Sequence, residues 1–312
     1  MSRTPLYAVA LLLAMLVVQS AGAVVKGEKR VLVVLATSGS KPYTVAEVEH
    51  TVAQARSFIS TASFGQVQLR VDVTPWLSAF SSNPGCGGGT NRSLDNVVAP
   101  AKVAADVAGF DPSRYDDVIY AIADSKCGFH GTTWGNEVIL TRQPNLQLVV
   151  HELGHAFGLG HAQASDCITI EGLCGLDETG DPFSPMGSGE LDFSVYEKVA
   201  LGWIRPQPRV TAAKRYVLAP PTSASKLAQG LVVETVAGTW WIEYRSKPFR
   251  GLLFRFVDNR VVPSPFAESA VLISKPKAGR PWLARGESYR IPGSFRVTVA
   301  KAGATQAEVR LR

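Results

Sequence analysis

The front part of the chain alternates between strand-like and helix-like spacing of its apolar residues. Residues 30–36 form a short β-branched run and residues 67–73 alternate apolar with polar positions, so we predict a strand at each. Between them, apolar residues recur every three or four positions behind Thr44, which predicts a helix over residues 44–63. The other elements predicted here are helices at 94–108 and 146–158, strands at 117–123 and 134–140, and a Gly- and Ser-rich loop at 81–92.

The rear part has a different pattern. Short apolar runs separated by Gly, Pro and Ser lie at 216–218, 231–236, 239–245, 252–257, 270–274, 295–300 and 307–311. This spacing is typical of a small β-sandwich. We therefore predict an α+β chain with two domains: residues 24–205, with a mixed sheet and helices, and residues 206–312, a small all-β sandwich-like domain.

The charge distribution supports the same boundary. The formal net charge is +6, but residues up to 205 contain 14 Lys and Arg against 20 Asp and Glu, and the rest contains 18 against 6. A basic rear domain could contact an acidic polymer, such as wall polysaccharide or glycoprotein. We favour a merely solvated basic face over this partner, since the positive residues are dispersed among the predicted strands. No nucleic-acid-binding motif accompanies the charge.

Residues 1–23 have the features of a signal peptide. Arg3 precedes an apolar run of about 13 residues, shorter than the roughly 20 that span a bilayer, and an A-x-A pattern ends at Ala23. We expect cleavage after Ala23 and secretion to an extracellular or periplasmic location, with no membrane partner afterwards; a membrane anchor is the alternative. Few residues would then precede the first strand, so we expect no cysteine-switch pro-domain.

The four cysteines fit an exported protein with two disulfides. Three pairings are open, and we favour Cys167 with Cys174, which are close in sequence, and Cys86 with Cys127. A Cys-ligated metal site is the alternative, but the chain contains no C-x-x-C spacing.

One motif contains residues that can bind a metal ion and act as a catalytic base. Its sequence from His151 onward is His-Glu-Leu-Gly-His-Ala-Phe-Gly-Leu-Gly-His. On a helix, His151 and His155 are one turn apart, so their rings can converge on one ion. Gly158 accepts positive φ, which lets the chain turn back and bring His161 to the same ion. Three protein ligands leave an open position, as in catalytic zinc sites, and Glu152 lies beside the ion without ligating it.

This stretch resembles the metzincin motif HExxHxxGxxH position for position. Met186, within Ser-Pro-Met-Gly, fits the methionine turn that lies beneath the metal in that family. Within the metzincins, the chain is most similar to the gametolysin-like peptidases, through residues 180–187, 197–204 and 241–245.

Three positions bear on the subfamily. Some gametolysin-like members carry Gln where this chain has His151, so His151 follows the general metzincin form. Ala162 replaces the Asp of the adamalysins. No Tyr stands two places after Met186, so the tyrosine ligand of astacins and serralysins is absent.

The resemblance implies a secreted zinc-dependent endopeptidase, a hydrolase that cleaves extracellular proteins or glycoproteins with one catalytic Zn²⁺ and Glu152 as the base for a zinc-activated water. It also implies that residues 131–140 align the peptide substrate by main-chain pairing. On residue type alone, His130 and Tyr196 are candidates to stabilise the oxyanion, but we favour the interpretation that they pack or face solvent.

Other readings of the sequence remain open. Asp177, Glu178 and Asp181 could bind Ca²⁺, but we favour the simpler interpretation that they form an acidic surface loop. The rival functions are a carbohydrate-binding or adhesion module with a vestigial zinc site, and zinc-dependent hydrolysis of a non-peptide amide. The intact Glu152 argues against a vestigial site.

Overall fold

A computed structural model of the protein describes residues 24–86, 91–168, 173–258, 270–273 and 280–312, with the side chains of 91–94, 167, 168 and 173 outside the description. The sequence-predicted signal peptide therefore lies outside the described residues. Among the described residues, no helix is both long and apolar enough to cross a membrane. The chain has few helices and several sheets, which confirms the predicted α+β class.

The front part contains a five-stranded sheet in the order β2-β1-β3-β5-β4. Its strands are β1 Gly27–Thr37, β2 Val67–Ser78, β3 Asp117–Ile122, β4 Gly131–Trp134 and β5 Glu137–Leu140. β1 is parallel to β2 and β3, β3 is parallel to β5, and β4 runs antiparallel at the edge. The single strand predicted at 134–140 is thus part of a hairpin, whose turn contains Gly135 at φ 60°.

Helices cover both faces of this sheet. The helices are α1 Val45–Ala62, α2 Asn91–Val107, α3 Leu146–Ala156 and α4 Val195–Ala200. Residues of α1 and α3 share one core cluster and residues of α2 another. The sheet is buried on both faces as a result, since Val31 and Val33 of β1 lie in the first cluster and Leu32 and Val34 in the second.

The start of α1 follows from the sequence. The Thr44 hydroxyl accepts a hydrogen bond from the Glu47 amide (3.2 Å), and the Glu47 carboxylate accepts one from the Thr44 amide (2.7 Å). This capping box satisfies amides that have no partner within the helix and fixes its first residue. The predicted N-cap at Thr44 is confirmed.

The rear part forms two further sheets, in the orders β10-β11-β12-β13-β6 and β14-β15-β16-β9. Their strands are β6 Ala164–Ser165, β9 Arg215–Leu218, β10 Gly230–Glu234, β11 Gly238–Arg245, β12 Gly251–Asp258, β13 Val271–Ile273, β14 Ser288–Arg290, β15 Arg296–Ala302 and β16 Ala307–Leu311; a small pair, β7 Cys167–Ile168 and β8 Leu173–Cys174, stands apart. Both sheets contribute to one core, which contains Trp240 and Phe254 from the first sheet and Val299 and Val309 from the second.

Contacts across residue 205 are extensive. β6, from the front part, pairs in parallel with β13 of the rear sheet. The buried guanidinium of Arg255 on β12 donates two hydrogen bonds to Asp181 (3.0 and 2.7 Å) and lies 2.9 Å from Glu243. Arg245 donates to the same Glu243 carboxylate at 2.7 Å. We call Asp181, Glu243, Arg245 and Arg255 the buried charge cluster; it fastens the rear sheet to the front part.

One predicted disulfide is confirmed, since Cys86 is bonded to Cys127. Cys174 is also disulfide-bonded, and its backbone lies opposite Cys167 in the β7–β8 register. The side chain of Cys167 lies outside the described residues, so the second pairing stays a prediction.

Candidate metal centre

The three motif histidines converge at the end of α3. Asn145 caps the helix by accepting from the Leu148 amide (2.9 Å), and the helix ends where Gly158 takes φ 94°. The chain then reverses and places the His161 ring beside the other two. The ring centroid of His161 lies 5.2 Å from that of His151 and 4.8 Å from that of His155.

Each imidazole uses its Nδ1 atom for a hydrogen bond within the protein. Nδ1 of His151 lies 2.8 Å from the Pro185 carbonyl oxygen, and Nδ1 of His155 lies 2.8 Å from the Leu159 carbonyl oxygen. Because carbonyl oxygens only accept, these partners assign the proton of both neutral rings to Nδ1. The Nε2 lone pairs of both rings are left to face the centre.

This donor set fits a divalent cation. Nε2 of His151 and Nε2 of His155 are 3.1 Å apart, and one ring nitrogen from each of the three histidines lies within 4.8 Å of the others. Two lone pairs at that distance repel unless a cation lies between them. Burial lowers the pKa of His151, and burial together with the neighbouring imidazoles lowers that of His155 to about 4, which keeps the rings in the neutral form that ligates metals. Three imidazoles are a ligand set typical of catalytic zinc.

The third histidine has a carboxylate partner that the sequence did not identify in this role. Nδ1 of His161 lies 2.9 Å from Oε1 of Glu178, whose side chain is 74% exposed. Carboxylates in this position fix the tautomer and orientation of a ligating histidine. The contact joins residues 17 positions apart in a loop, so no periodic pattern indicates it.

We expect Glu178→Ala to weaken zinc binding by about 10- to 100-fold, the usual effect of losing such a partner. Glu178→Gln keeps an acceptor oxygen for the Nδ1 proton and should lose less. Competition with a chromophoric chelator measures both affinities. Glu190→Gln, at another exposed acidic residue, is the matched control, and equal affinities in all four proteins would remove Glu178 from the metal centre.

Glu152 follows His151 on α3, and its carboxylate is buried. It is 4% exposed, and its Oε2 accepts a hydrogen bond from Thr133 Oγ1 at 2.6 Å. Burial raises the pKa of Glu152 and the Thr133 hydrogen bond lowers it by a smaller amount, so that the resulting pKa is about 7. β4 presses closely on this side chain, since a Cβ at Gly131 would lie 2.4 Å from Glu152 Oε1. Glycine at 131 and the hydroxyl at 133 thus define the space that Glu152 occupies, and the sequence pattern singled out neither residue.

Met186 lies beneath the motif helix. It is fully buried, and a Cβ at Gly154 would lie 2.2 Å from its sulfur, so glycine there allows the close approach. The Met186 carbonyl accepts from the Ala162 amide (2.8 Å), and its neighbour Pro185 supplies the carbonyl that faces His151. The loop around Met186 therefore supports the ligands directly.

The contacts of the two oxyanion candidates, Tyr196 and His130, include neighbours outside the three imidazoles. Tyr196 packs edge-on against Trp241, and the His130 carbonyl accepts from the Thr141 amide.

The acidic residues considered for calcium do not converge. Asp181 is engaged by Arg255, Glu178 by His161, and Asp177 accepts from the Thr179 amide. Each of these carboxylates therefore has its own partner, and the three form no shared cation site within the described part of the chain.

Comparison with models of known protein families gives no match to the chain, and no curated protein matches it. A solved structure described as a chaperone–substrate complex is similar over 56% of this chain and 34% of its own chain, with 14% sequence identity and a TM-score of 0.31. The chain thus spans about a third of that structure's length. At this TM-score, the likeness has no bearing on fold or function.

Proposed function

We propose that the protein is a secreted zinc-dependent endopeptidase of the metzincin type, similar to the gametolysin-like peptidases. The observation that carries the proposal is the donor set: three imidazoles, each with a ring nitrogen within 4.8 Å of the others, on a motif whose second residue, Glu152, is a buried carboxylate. His151, His155 and His161 would hold the ion, and Glu152 would remain free for proton transfer.

The architecture supports the same proposal. A mixed sheet with one antiparallel edge strand, covered by the helix that carries the motif, is the arrangement expected of a zincin catalytic domain. We assign residues 24–205 to that domain and residues 206–312 to a β-sandwich-like domain. The buried charge cluster between the two parts implies that they act as one unit.

A bound zinc ion supplies Lewis acidity, which acidifies a water molecule and polarises a peptide carbonyl. The protein's own part in the reaction falls to Glu152, which takes a proton from the attacking water and passes it to the leaving amine nitrogen. Thr133 donates to Oε2 of Glu152 and so orients the carboxylate. Strand β4 is the last in its sheet, so its outer edge can pair with an extended peptide through main-chain hydrogen bonds.

Hydrolysis of casein tests this function. We expect the purified protein to cleave casein, to lose that activity after dialysis against a metal chelator, and to regain it when zinc is restored. Metal-independent cleavage would contradict the zinc mechanism. Binding of glycans without hydrolysis of casein or peptides would favour the adhesion module, and cleavage of non-peptide amides alone would favour the rival hydrolase.

A further inference from the structure

The sheet β14-β15-β16-β9 has two unlike sides. Alternate residues of a strand point to opposite sides of a sheet. Val297 and Val299 of β15 and Val309 and Leu311 of β16 are buried in the rear core. The opposite side carries the basic residues Arg215, Arg290, Arg296, Lys301, Arg310 and Arg312. We call these six residues the basic face.

The strand register brings like charges together. Arg290 lies directly opposite Arg296, and Arg310 lies directly opposite Arg215. Like charges in such positions destabilise a sheet. Packing and hydrogen bonding within the sheet therefore do not explain why arginines occupy these positions.

Acidic residues compensate little of this charge. Among the outward residues of these four strands, all of which the structure describes, Glu308 is the one carboxylate. It lies 3.5 Å from Arg215, 3.4 Å from Lys301 and 3.7 Å from Arg310, so one carboxylate serves three cations. No ion pair joins Arg290 or Arg296 to any described carboxylate.

We propose that the basic face is a docking surface for an acidic polysaccharide. Five of its six cations are arginines, whose planar guanidinium forms paired hydrogen bonds with sulfate and carboxylate groups, whereas a merely solvated face has no need of that geometry. The six cations are distributed over four neighbouring strands spaced about 4.8 Å apart. They can therefore contact an extended polyanion over about 14 Å. A surface pocket of about 350 Å³, lined by Arg285, Lys301 and Glu308 among others, opens at one end of this face.

The chemistry of this face favours a polysaccharide over other polyanions. Its outward positions carry no aromatic ring on which nucleic-acid bases could stack, because Tyr216 and Tyr289 pack against the core. Val217 is its single large apolar side chain, which is too little to enter a membrane. The sequence-predicted export also places the protein where acidic polysaccharides occur. The inference does not depend on the peptidase activity.

Retention on dextran sulfate, with uncharged dextran as the comparison, tests the proposal with the whole mature chain. We expect retention on dextran sulfate alone at 0.15 M salt. Replacing Arg290 and Arg296 with glutamine should lower the apparent affinity by about tenfold or more. The matched control replaces Lys41 and Arg56, exposed residues of the front part, with glutamine and should elute like the wild type. Thermal melting establishes that all three proteins are folded.

Several outcomes would overturn the inference. Equal losses in the two double variants would mean that overall charge, and not this face, causes retention. Stronger binding of duplex DNA or of phosphatidylserine vesicles than of dextran sulfate would replace the polysaccharide with a different partner. Cleavage of a soluble peptide is measured alongside, so a protein that lacks peptidase activity but shows the expected retention refutes the proposed function and leaves this inference standing.

Discussion

Glu152→Gln is expected to lower the rate of peptide hydrolysis by about 1,000-fold while leaving one zinc ion per chain, because general-base catalysis typically contributes 10²- to 10⁴-fold. Glutamine is close to glutamate in size and keeps an oxygen for the Thr133 hydroxyl, so the local packing should survive. It cannot, however, accept a proton from water. The loss should therefore appear mainly in kcat, with KM for a peptide little changed.

Glu49→Gln serves as the matched control, because Glu49 is exposed on α1. Steady-state kinetics and metal analysis on the wild type and both variants complete the comparison. Turnover near the wild-type rate in Glu152→Gln would exclude Glu152 as the base. Loss of zinc from that variant would assign the carboxylate a structural role at the metal.

Arg255→Met is expected to lower the free energy of unfolding by about 3–5 kcal/mol, the usual cost of leaving buried partner charges uncompensated. Arg255 is buried, and its removal would leave Asp181 without its guanidinium partner and Glu243 with Arg245 alone. Urea denaturation at pH 7 measures the change. Arg250→Met, at an exposed position before β12, should change stability by less than about 0.5 kcal/mol.

The loss of unfolding free energy in Arg255→Met should depend on pH. Burial raises the pKa of Glu243, but Arg245 and Arg255 more than offset it and hold the pKa at about 2, below its ordinary value of 4.5. The stabilisation from Glu243 is therefore fully present above pH 4.5 and is lost as the pH falls towards 2. In Arg255→Met the carboxylates that have lost this guanidinium can take up protons. The difference in unfolding free energy between variant and wild type should therefore become smaller below pH 4.5. A loss under about 1 kcal/mol at pH 7 would show that the buried charge cluster does not fasten the two parts.

Local signals in the sequence predicted much of the front part. The cap residue Thr44 and the apolar spacing behind it predict α1 to within a residue at each end. The motif helix begins at Leu146 as predicted but ends at Ala156, two residues early, because the chain leaves the helix before Gly158. In both cases the deciding interactions lie within one helical turn, which is why sequence spacing suffices.

The features that sequence reasoning missed depend on contacts between distant segments. Glu178 reaches His161 across a loop, and Thr133 reaches Glu152 from a different element, so neither contact leaves a periodic trace. The short strand Ser288–Arg290 has one apolar residue and no alternation to detect. Arg255 pairs with Asp181, 74 positions away, and hydrophobic patterning gives no indication of a buried ion pair.

Residue alternation along a strand predicts part of the basic face, namely which side of the sheet each residue is on, but not which strands are neighbours. Arg310 lies between Val309 and Leu311 of β16, which face the core, and Arg312 directly follows the strand. That alternation predicts that both arginines lie on one side of the sheet. Which strands lie next to each other, and hence that Arg290 faces Arg296, follows only from the topology.

The most direct test is to count and locate the metal. Elemental analysis of the purified protein should give one zinc per chain, and X-ray absorption at the zinc edge should show three nitrogen ligands at about 2.0–2.1 Å. His155→Ala should reduce the content to well below one ion per chain. Full zinc content in that variant, or a wild-type protein that takes up no stoichiometric zinc, would contradict a catalytic zinc centre built from His151, His155 and His161.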